Sequence, residues 1–395
     1  MHKIKYLHSD LNIENKRIIL RTDFNVPIEK GKILDCTRID AVIPFLNELM
    51  KKKSKVVLIS HLGRPSGKIE KKFSLKPVFE YLKKKIKNKV FFSNSNIIDA
   101  KEKSSKLEPS QILLLENIRF FKGEIENDLQ FSEELSKLGE IFINDAFACS
   151  HRKQSSIHNI TKFIKEVYGG PLLKKEIEAI DLIIKEKKSP VTCIIGGAKI
   201  STKIKVIINL IKNVDNIVVV GAMANNFLLN KGFEVGNSII ESDSQEITGK
   251  IYKEGKSFNC KIIIPEDFKV SKTLNGLSKI RDKSSIKSDD IILDIGPKTV
   301  AKIKGIIDSS KTVLWNGPAG YFENKNFAEG TNLIAEKISE NTKKNLIKSI
   351  LGGGDTLAAI NKSKLKLTFT HLSTAGGAFL EYLEGKDLPG ISVLK

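Results

Sequence analysis

The apolar residues of this chain come in short bursts. Four stand out in the first part: RIIL (17–20), KVVLIS (55–60), ILLLE (112–116) and EIFIN (140–144). Six more follow: VTCII (191–195), NIVVV (216–220), KIIIP (261–265), DIILD (290–294), TVLW (312–315) and SIL (349–351). After each comes a polar or glycine-rich loop and then a helical spacing of apolar positions. A run that is apolar at nearly every position is buried on both faces. Alternation with helices therefore predicts parallel sheets covered on both sides. Ten strands are many for one sheet but suit two α/β domains.

The boundary between them is expected near YGGPLLKKEIEAIDLIIKEKKSP (168–190). Gly169, Gly170 and Pro171 break the chain there. A helix with apolar residues at 172, 173, 177, 180, 183 and 184 follows, and KEKKSP closes it. Such a helix can act as the arm of a hinge.

In open α/β sheets, ligands bind beyond the carboxyl ends of the strands, so the loops there carry the chemistry. In the first half these loops are polar and cationic. RTDFNVP supplies Arg21, Asp23 and Asn25, and TRID supplies Arg38. HLGRP supplies His61 and Arg64, NIRFF supplies Arg119, and DAFACSHRK supplies His151 and Arg152. Arginine is scarce beside lysine in this chain, yet it recurs at strand ends. Its planar fork makes the two-point contacts that carboxylates and phosphates need. The set implies a small, highly anionic ligand.

In the second half the loops are rich in glycine: GGAKISTK (196–203), GAMANNF (221–227), DIGPKT (294–299), WNGPAG (315–320), GGGDT (352–356) and STAGGA (373–378). Glycine lets backbone N–H groups come close to phosphate. Lys199 and Lys203, four apart, are expected on one face of a helix's first turn, where two ammoniums could grip a polyphosphate. Asp355 places a carboxylate where a phosphate should go, which asks for a metal ion between them. No G-x-x-x-x-G-K-[ST] occurs, and no G-x-G-x-x-G opens a βαβ unit. Walker-type and dinucleotide sites are therefore disfavoured.

Composition changes little in this picture. The 395 residues carry 66 basic and 46 acidic side chains, a net charge of +20. The lysines are spread along the chain among many Ile and Asn, as in an A- and T-biased genome, which favours a solvated basic surface over a polyanion-binding one. The four cysteines (36, 149, 193 and 260) lie far apart without CxxC spacing and are expected to be reduced. No apolar run approaches the length of a membrane span, and MHKIKYLHSDLNIENKR lacks a signal-peptide centre. A cytoplasmic location is expected.

Taken in order, RTDFNVP, SHLGRP, LLENIRF, WNGPAGYFE and GGGDT resemble phosphoglycerate kinase, and the likeness covers essentially the whole chain. It implies two Rossmann-like, doubly wound domains joined by a hinge helix. The first is 1–170 with the returning segment 378–395, the helix is 171–188, and the second is 189–377. It also implies a monomer that transfers a phosphoryl group in line and reversibly from 1,3-bisphosphoglycerate to ADP, with Mg²⁺, closing the domains on the hinge. Its triose-binding residues fall on Asp23, Asn25, Arg38, His61, Leu62, Gly63, Arg64, Arg119 and Arg152. Its nucleotide-side residues fall on Lys203, Asn316, Glu323, Gly353, Gly354, Asp355 and Thr356. Glu323 would meet the ribose and Asp355 the metal. The catalytic set is Arg38, Lys199, Lys203, Gly376 and Gly377.

The chain departs from the family's pattern in places. Ala375 stands where the family usually has glycine. GAMANNF replaces GGMANTF, so Ala222 and Asn226 differ. DAFACSHRKQSS replaces a sequence closer to DAFGTAHRAHAS, so Ala148 and Gln154 differ. Two other readings remain open at this stage. One is a two-domain kinase for a different carboxylic or phosphorylated acid. The other is a polyanion binder, which would cluster basic residues among exposed aromatics.

Overall fold

The computed structural model describes residues 4–8, 10–94, 96–186 and 188–395. Residues 1–3, Ser9 and Ser95 of the expected first domain and Lys187 of the expected connecting helix lie outside that range. The chain divides into two compact units. One comprises residues up to Ile177 together with Asp387–Lys395, and the other comprises Glu178–Lys386. The division falls inside the helix Pro171–Ile184.

The first unit contains β1 (Arg17–Arg21), a small hairpin of β2 (Ile28–Glu29) and β3 (Lys32–Ile33), β4 (Lys55–Ile59), β5 (Val90–Ser93), β6 (Ile112–Leu115), β7 (Ile141–Asn144) and β8 (Glu166–Gly169). Its main sheet has the order β5-β6-β4-β1-β7-β8, with every pairing parallel. The alternation of side chains along each strand divides the core into two layers. Ile18, Leu20, Val56, Leu58, Leu114 and Ile143 pack with Leu46, Leu49 and Val78 on one face. Ile19, Val57, Ile59, Leu113 and Phe142 pack with Leu135 and Leu138 on the other. This is why the strands read as unbroken apolar runs.

The second unit contains β9 (Val191–Ile195), β10 (Asn216–Val219), β11 (Lys261–Ile263), β12 (Asp267–Ser271), β13 (Lys279–Asp282), β14 (Ile291–Ile295), β15 (Thr312–Asn316), β16 (Lys348–Gly352) and β17 (His371–Ser373). Its parallel sheet has the order β11-β10-β9-β15-β16-β17. The expected strand DIILD is present as β14, but it does not join this sheet. It pairs antiparallel with β12 in a separate three-stranded sheet. Strands β5, β8 and β17, at sheet edges, were not anticipated. Each has an exposed position, and none has an apolar stretch longer than three residues, so the signature of a buried run is weak.

In both sheets the strand order reverses beside the first strand, between β1 and β7 and between β9 and β15. At such a switch point the two following loops diverge to opposite faces and leave a crevice. The loops at these two points are RTDFN with DAFACSHR, and GGAKISTK with NGPAG.

Asp145 opens the loop after β7 and is buried. Its Oδ1 accepts hydrogen bonds from the N–H groups of Leu172 (2.7 Å) and Leu173 (3.0 Å), so it caps the helix Pro171–Ile184. Burial outweighs these bonds and pushes its pKa from 3.8 up to about 7. The sign follows directly. Between those values the folded chain holds a proton that the unfolded chain has lost, so this contribution to stability is complete below the lower value and lost as pH rises through 7. Asp145→Asn removes the titration and keeps the accepting oxygen. The stability of the wild type relative to this variant is expected to rise by about 1.4 kcal/mol per pH unit as pH falls from 7 toward 5. Urea unfolding of both proteins across that range checks it, and a flat difference would mean that Asp145 is ionised throughout.

Candidate active site

The cationic edge of the first unit is built outward from Arg21, the last residue of β1, which is fully buried. Its Nε donates to Ser156 Oγ (3.0 Å), one Nη donates to Thr22 O, and the other lies 3.4 Å from His61 Nδ1. Ser156 in turn donates from its backbone N and its Oγ to the two oxygens of buried Glu124, both at 2.7 Å. Burial raises the pKa of Glu124, and the charge of Arg21 works against that rise. Arg21, Ser156 and Glu124 thus form a connected polar base beneath the site. A charged residue inside a strand buried on both faces was the signal for Arg21. Nothing in KGEIE marks Glu124.

On this base sits His61, which is buried. Burial is the largest cause of a pKa held well below 6.5, followed by the charges of Arg21, Arg119, Arg38 and Arg152. The ring is therefore neutral at pH 7. The Arg21 guanidinium can only donate, so Nδ1 accepts and Nε2 carries the proton. An imidazole so hard to protonate is a poor base and a good hydrogen-bond donor.

The expected triose residues converge here to different degrees. Arg38 Nη1 donates to Asp23 Oδ2 (2.8 Å) and to Asn25 O (3.1 Å). Asn25 Oδ1 accepts from Gly63 N at 2.9 Å. Leu62 is buried, and its carbonyl accepts from the buried Asn117 side chain at 2.7 Å. Arg119 donates to Gly63 O at 2.8 Å and reaches Gln154 Oε1 at 3.5 Å. Its Nε is buried without a hydrogen-bond partner among the described residues, and burial lowers its pKa to about 10. A desolvated guanidinium with an unused donor suits an anion. Arg152 is half-buried and acts on His61 through its charge. Arg64 is exposed at the rim.

In the second unit the β9 and β15 loops meet at Lys203. Its Nζ donates to Gly196 O (2.6 Å) and Asn316 Oδ1 (2.6 Å). Burial lowers its pKa to about 8, while the charge of Asp355 raises it. Asn316 Nδ2 donates to Gly352 O at 2.8 Å, and Gly317 N donates to Thr356 Oγ1 at 2.7 Å. These bonds tie the ends of β15 and β16 together. Two glycines are required by this closeness. Gly317 has φ +99°, and a Cβ on it would lie 2.3 Å from Gly196 O. Gly353 has φ +102°, and its Cβ would lie 2.7 Å from Asn316 Nδ2. The helix Gly354–Ser363 begins at that point, with Asp355 exposed in its first turn and making no hydrogen bond or ion pair among the described residues. Glu323 is exposed, and Lys362 donates to its backbone carbonyl at 2.6 Å. Gly376 has φ +55° and precedes the short helix Gly377–Leu383.

Two expectations need correction. Lys199 and Lys203 do not share a helical turn, because the helix runs over Ile204–Ile211 and Lys203 only precedes it. The preceding loop spends Lys203 on strand-end carbonyls, while Lys199 is exposed. The loop DIGPKT is not an anion cradle either. Its Lys298 and Thr299 N–H groups donate to Asp267 at 3.0 and 2.8 Å, so the start of the helix Pro297–Ser309 already holds a carboxylate. The other five glycine-rich loops do follow strands of the parallel sheet.

A model of the phosphoglycerate kinase family matches residues 8–386. The chain belongs to the phosphoglycerate kinase family. It is 42% identical over 387 residues to the phosphoglycerate kinase of a Wolbachia species (subsp. Drosophila simulans, strain wRi), covering 97% of each chain. It is 44% identical over 391 residues to that of Buchnera aphidicola subsp. Acyrthosiphon pisum (strain 5A), covering 98% of this chain and 96% of the other. Among solved structures, phosphoglycerate kinase from Coxiella burnetii superposes with a TM-score of 0.91 at 38% identity, over 98% of this chain and 97% of that one. The enzyme from Pyrococcus horikoshii OT3 superposes with a TM-score of 0.81 at 29% identity, over 98% of each. Family membership thus rests on the whole length and not on isolated loops.

Proposed function

We propose that the arginine-lined edge of the first unit binds 3-phosphoglycerate and 1,3-bisphosphoglycerate, and that the Lys203–Asn316–Thr356 edge of the second binds Mg-ADP and Mg-ATP. The observation that carries this reading is the convergence of Arg38, Arg119 and Arg152 on a buried, neutral His61, with Arg21 buried beneath them. Three guanidiniums around one point suit a ligand with a phosphate at one end and a carboxylate at the other. They suit a long polyanion less well. Among the described residues no helix is long and apolar enough to cross a membrane. A cytoplasmic monomer is the state in which we expect the enzyme to work.

The transferred group leaves a carboxylate, which is a weak base, so the reaction needs no general base. What the protein must supply is position and positive charge on a loose phosphoryl group. Arg38 is held by Asp23 and Asn25, which fixes the plane of its guanidinium at the site. Lys203 supplies a desolvated ammonium, and the first turn of the helix Gly354–Ser363 supplies N–H groups without intrahelical partners. His61 would donate from Nε2 to the triose. Bending about the helix Pro171–Ile184 and the segment 371–380 would bring the two ligands together and exclude water from the acyl phosphate.

Asp355 fits a magnesium ion. An exposed, unpaired carboxylate offers a hard oxygen donor, and Mg²⁺ commonly takes one or two carboxylates beside substrate phosphates. When bound, the ion would neutralise charge on the nucleotide phosphates. Asp355→Ala is expected to raise KM for Mg-nucleotide roughly tenfold or more and to leave KM for 3-phosphoglycerate unchanged. Steady-state titrations with each substrate check this, and an unaltered Mg²⁺ dependence would remove Asp355 from the metal site.

The assay that tests the whole reading supplies ATP, Mg²⁺ and 3-phosphoglycerate and couples the product to a dehydrogenase. Turnover that EDTA abolishes is the expected result. Absence of turnover from well-folded protein would point to another acid substrate.

A further inference from the structure

Three donor atoms of different chemistry gather beside the arginines: Asp23 Oδ, His61 Nδ1 and Cys149 Sγ, all within 4.8 Å of one another. His61 Nδ1 lies 3.6 Å from Cys149 Sγ and 4.0 Å from Asp23 Oδ1. A tetrahedral zinc ion with Zn–S of about 2.3 Å and Zn–N of about 2.05 Å holds sulfur and nitrogen about 3.6 Å apart. The sulfur–nitrogen pair is therefore already at ligand spacing, and the carboxylate needs only a small approach. His61 is neutral, and its Nδ1, which accepts from Arg21 in the metal-free chain, is the nitrogen that would turn to the ion. His61 and Cys149 are buried and Asp23 is largely so, which limits the strain of ordering them. We propose that this trio binds a thiophilic divalent cation, Zn²⁺ being the type, and that the bound ion blocks the triose half of the active site.

Cys149 is what makes the trio. The family pattern quoted above reads threonine at its position, and a hydroxyl does not replace a thiolate toward zinc. Binding releases the thiol proton to solvent as the S–Zn bond forms. One ion of charge +2 enters and one proton leaves, so the local charge rises by one unit. That rise among Arg21, Arg38, Arg119 and Arg152 weakens the site and keeps it reversible. The block has two parts. Asp23 turns from Arg38 to the metal, which breaks the 2.8 Å bond that helps to orient that guanidinium. His61 loses its contact with Arg21 and is fixed by the ion. Triose ligand and metal should therefore exclude one another, while the nucleotide half is untouched.

Cobalt(II) is the probe, because thiolate coordination gives it a near-ultraviolet charge-transfer band. The full chain without nucleotide is titrated with Co²⁺ and then with 3-phosphoglycerate. One Co²⁺ per chain with a thiolate band, lost on adding 3-phosphoglycerate and absent from folded Cys149→Thr, is the expected result. Zn²⁺ should inhibit wild type at concentrations roughly tenfold or more below those needed for Cys149→Thr. A band that persists in Cys149→Thr assigns the metal to another cysteine and overturns the proposal, as does a folded wild type that shows no band. These spectra need no turnover, so they stand apart from the assay of the kinase reaction.

Discussion

Arg38→Lys is expected to lower kcat by roughly a hundredfold or more and to leave nucleotide affinity within about twofold. The reason lies in how Arg38 is held. One nitrogen of its fork is committed to Asp23 Oδ2 and Asn25 O. That commitment fixes the plane of the guanidinium, and we propose that its fork is thereby aimed at a phosphoryl group in flight. A lysine that kept the bond to Asp23 would present its other protons without that orientation. A lysine that reached the phosphoryl would abandon Asp23. The ground-state nucleotide has its own contacts in the other unit and should not notice the change. Steady-state kinetics with a separate nucleotide-binding titration decide the matter. A variant with near-normal kcat would remove Arg38 from transition-state stabilisation, and one that lost nucleotide binding instead would place it with the nucleotide.

Lys203→Met should lose about two to three orders of magnitude in kcat/KM while retaining or gaining thermal stability. Burial pulls the lysine pKa from 10.5 to about 8, which means that the fold bears the charge at a cost of roughly 3 kcal/mol relative to the neutral amine. Its bonds to Gly196 O and Asn316 Oδ1 offset part of that cost. Methionine fills the stem's volume without the charge, at the expense of leaving two carbonyl acceptors short, each loss being on the order of 1 kcal/mol. The balance favours the variant's stability, and on the proposed reading it removes the ammonium that would face the phosphates. Thermal unfolding beside kinetics separates the readings. A large drop in melting temperature would make Lys203 a structural pin and would explain the lost activity without any role toward phosphate.

Much of the fold was legible because burial on both faces leaves a plain mark. RIIL, KVVLIS, VTCII and TVLW could hardly be anything but interior parallel strands, and they are β1, β4, β9 and β15. Edge strands such as VFFS and HLS escaped notice because their apolar stretches are short, three residues in the first and one in the second, too little to stand out as a buried run. DIILD is the instructive error. Its apolar run is as strong as the others, yet β14 pairs antiparallel with β12. Strand direction is set by which partner the register finds, through Phe268 and Val270 against Ile295 and Ile292, and a single run carries no record of that.

The site divides in the same way. The candidate residue types stood out because each proposed chemistry has few substitutes: arginine for a two-pointed anion, glycine for close backbone approach, a carboxylate after GGG for a metal. The chain's order of residues determined this inventory and its position at strand ends. Tertiary structure alone decided the rest. It set which two loops meet at each switch point, since sheet order is a long-range matter. It spent DIGPKT on Asp267 rather than on a ligand. It placed Glu124 under Arg21 through Ser156, joining residues 103 and 135 positions from Arg21 in sequence. It also set the protonation of His61, Asp145 and Lys203, because a pKa depends on the water and charge around a group. Those surroundings exist only once distant segments have packed.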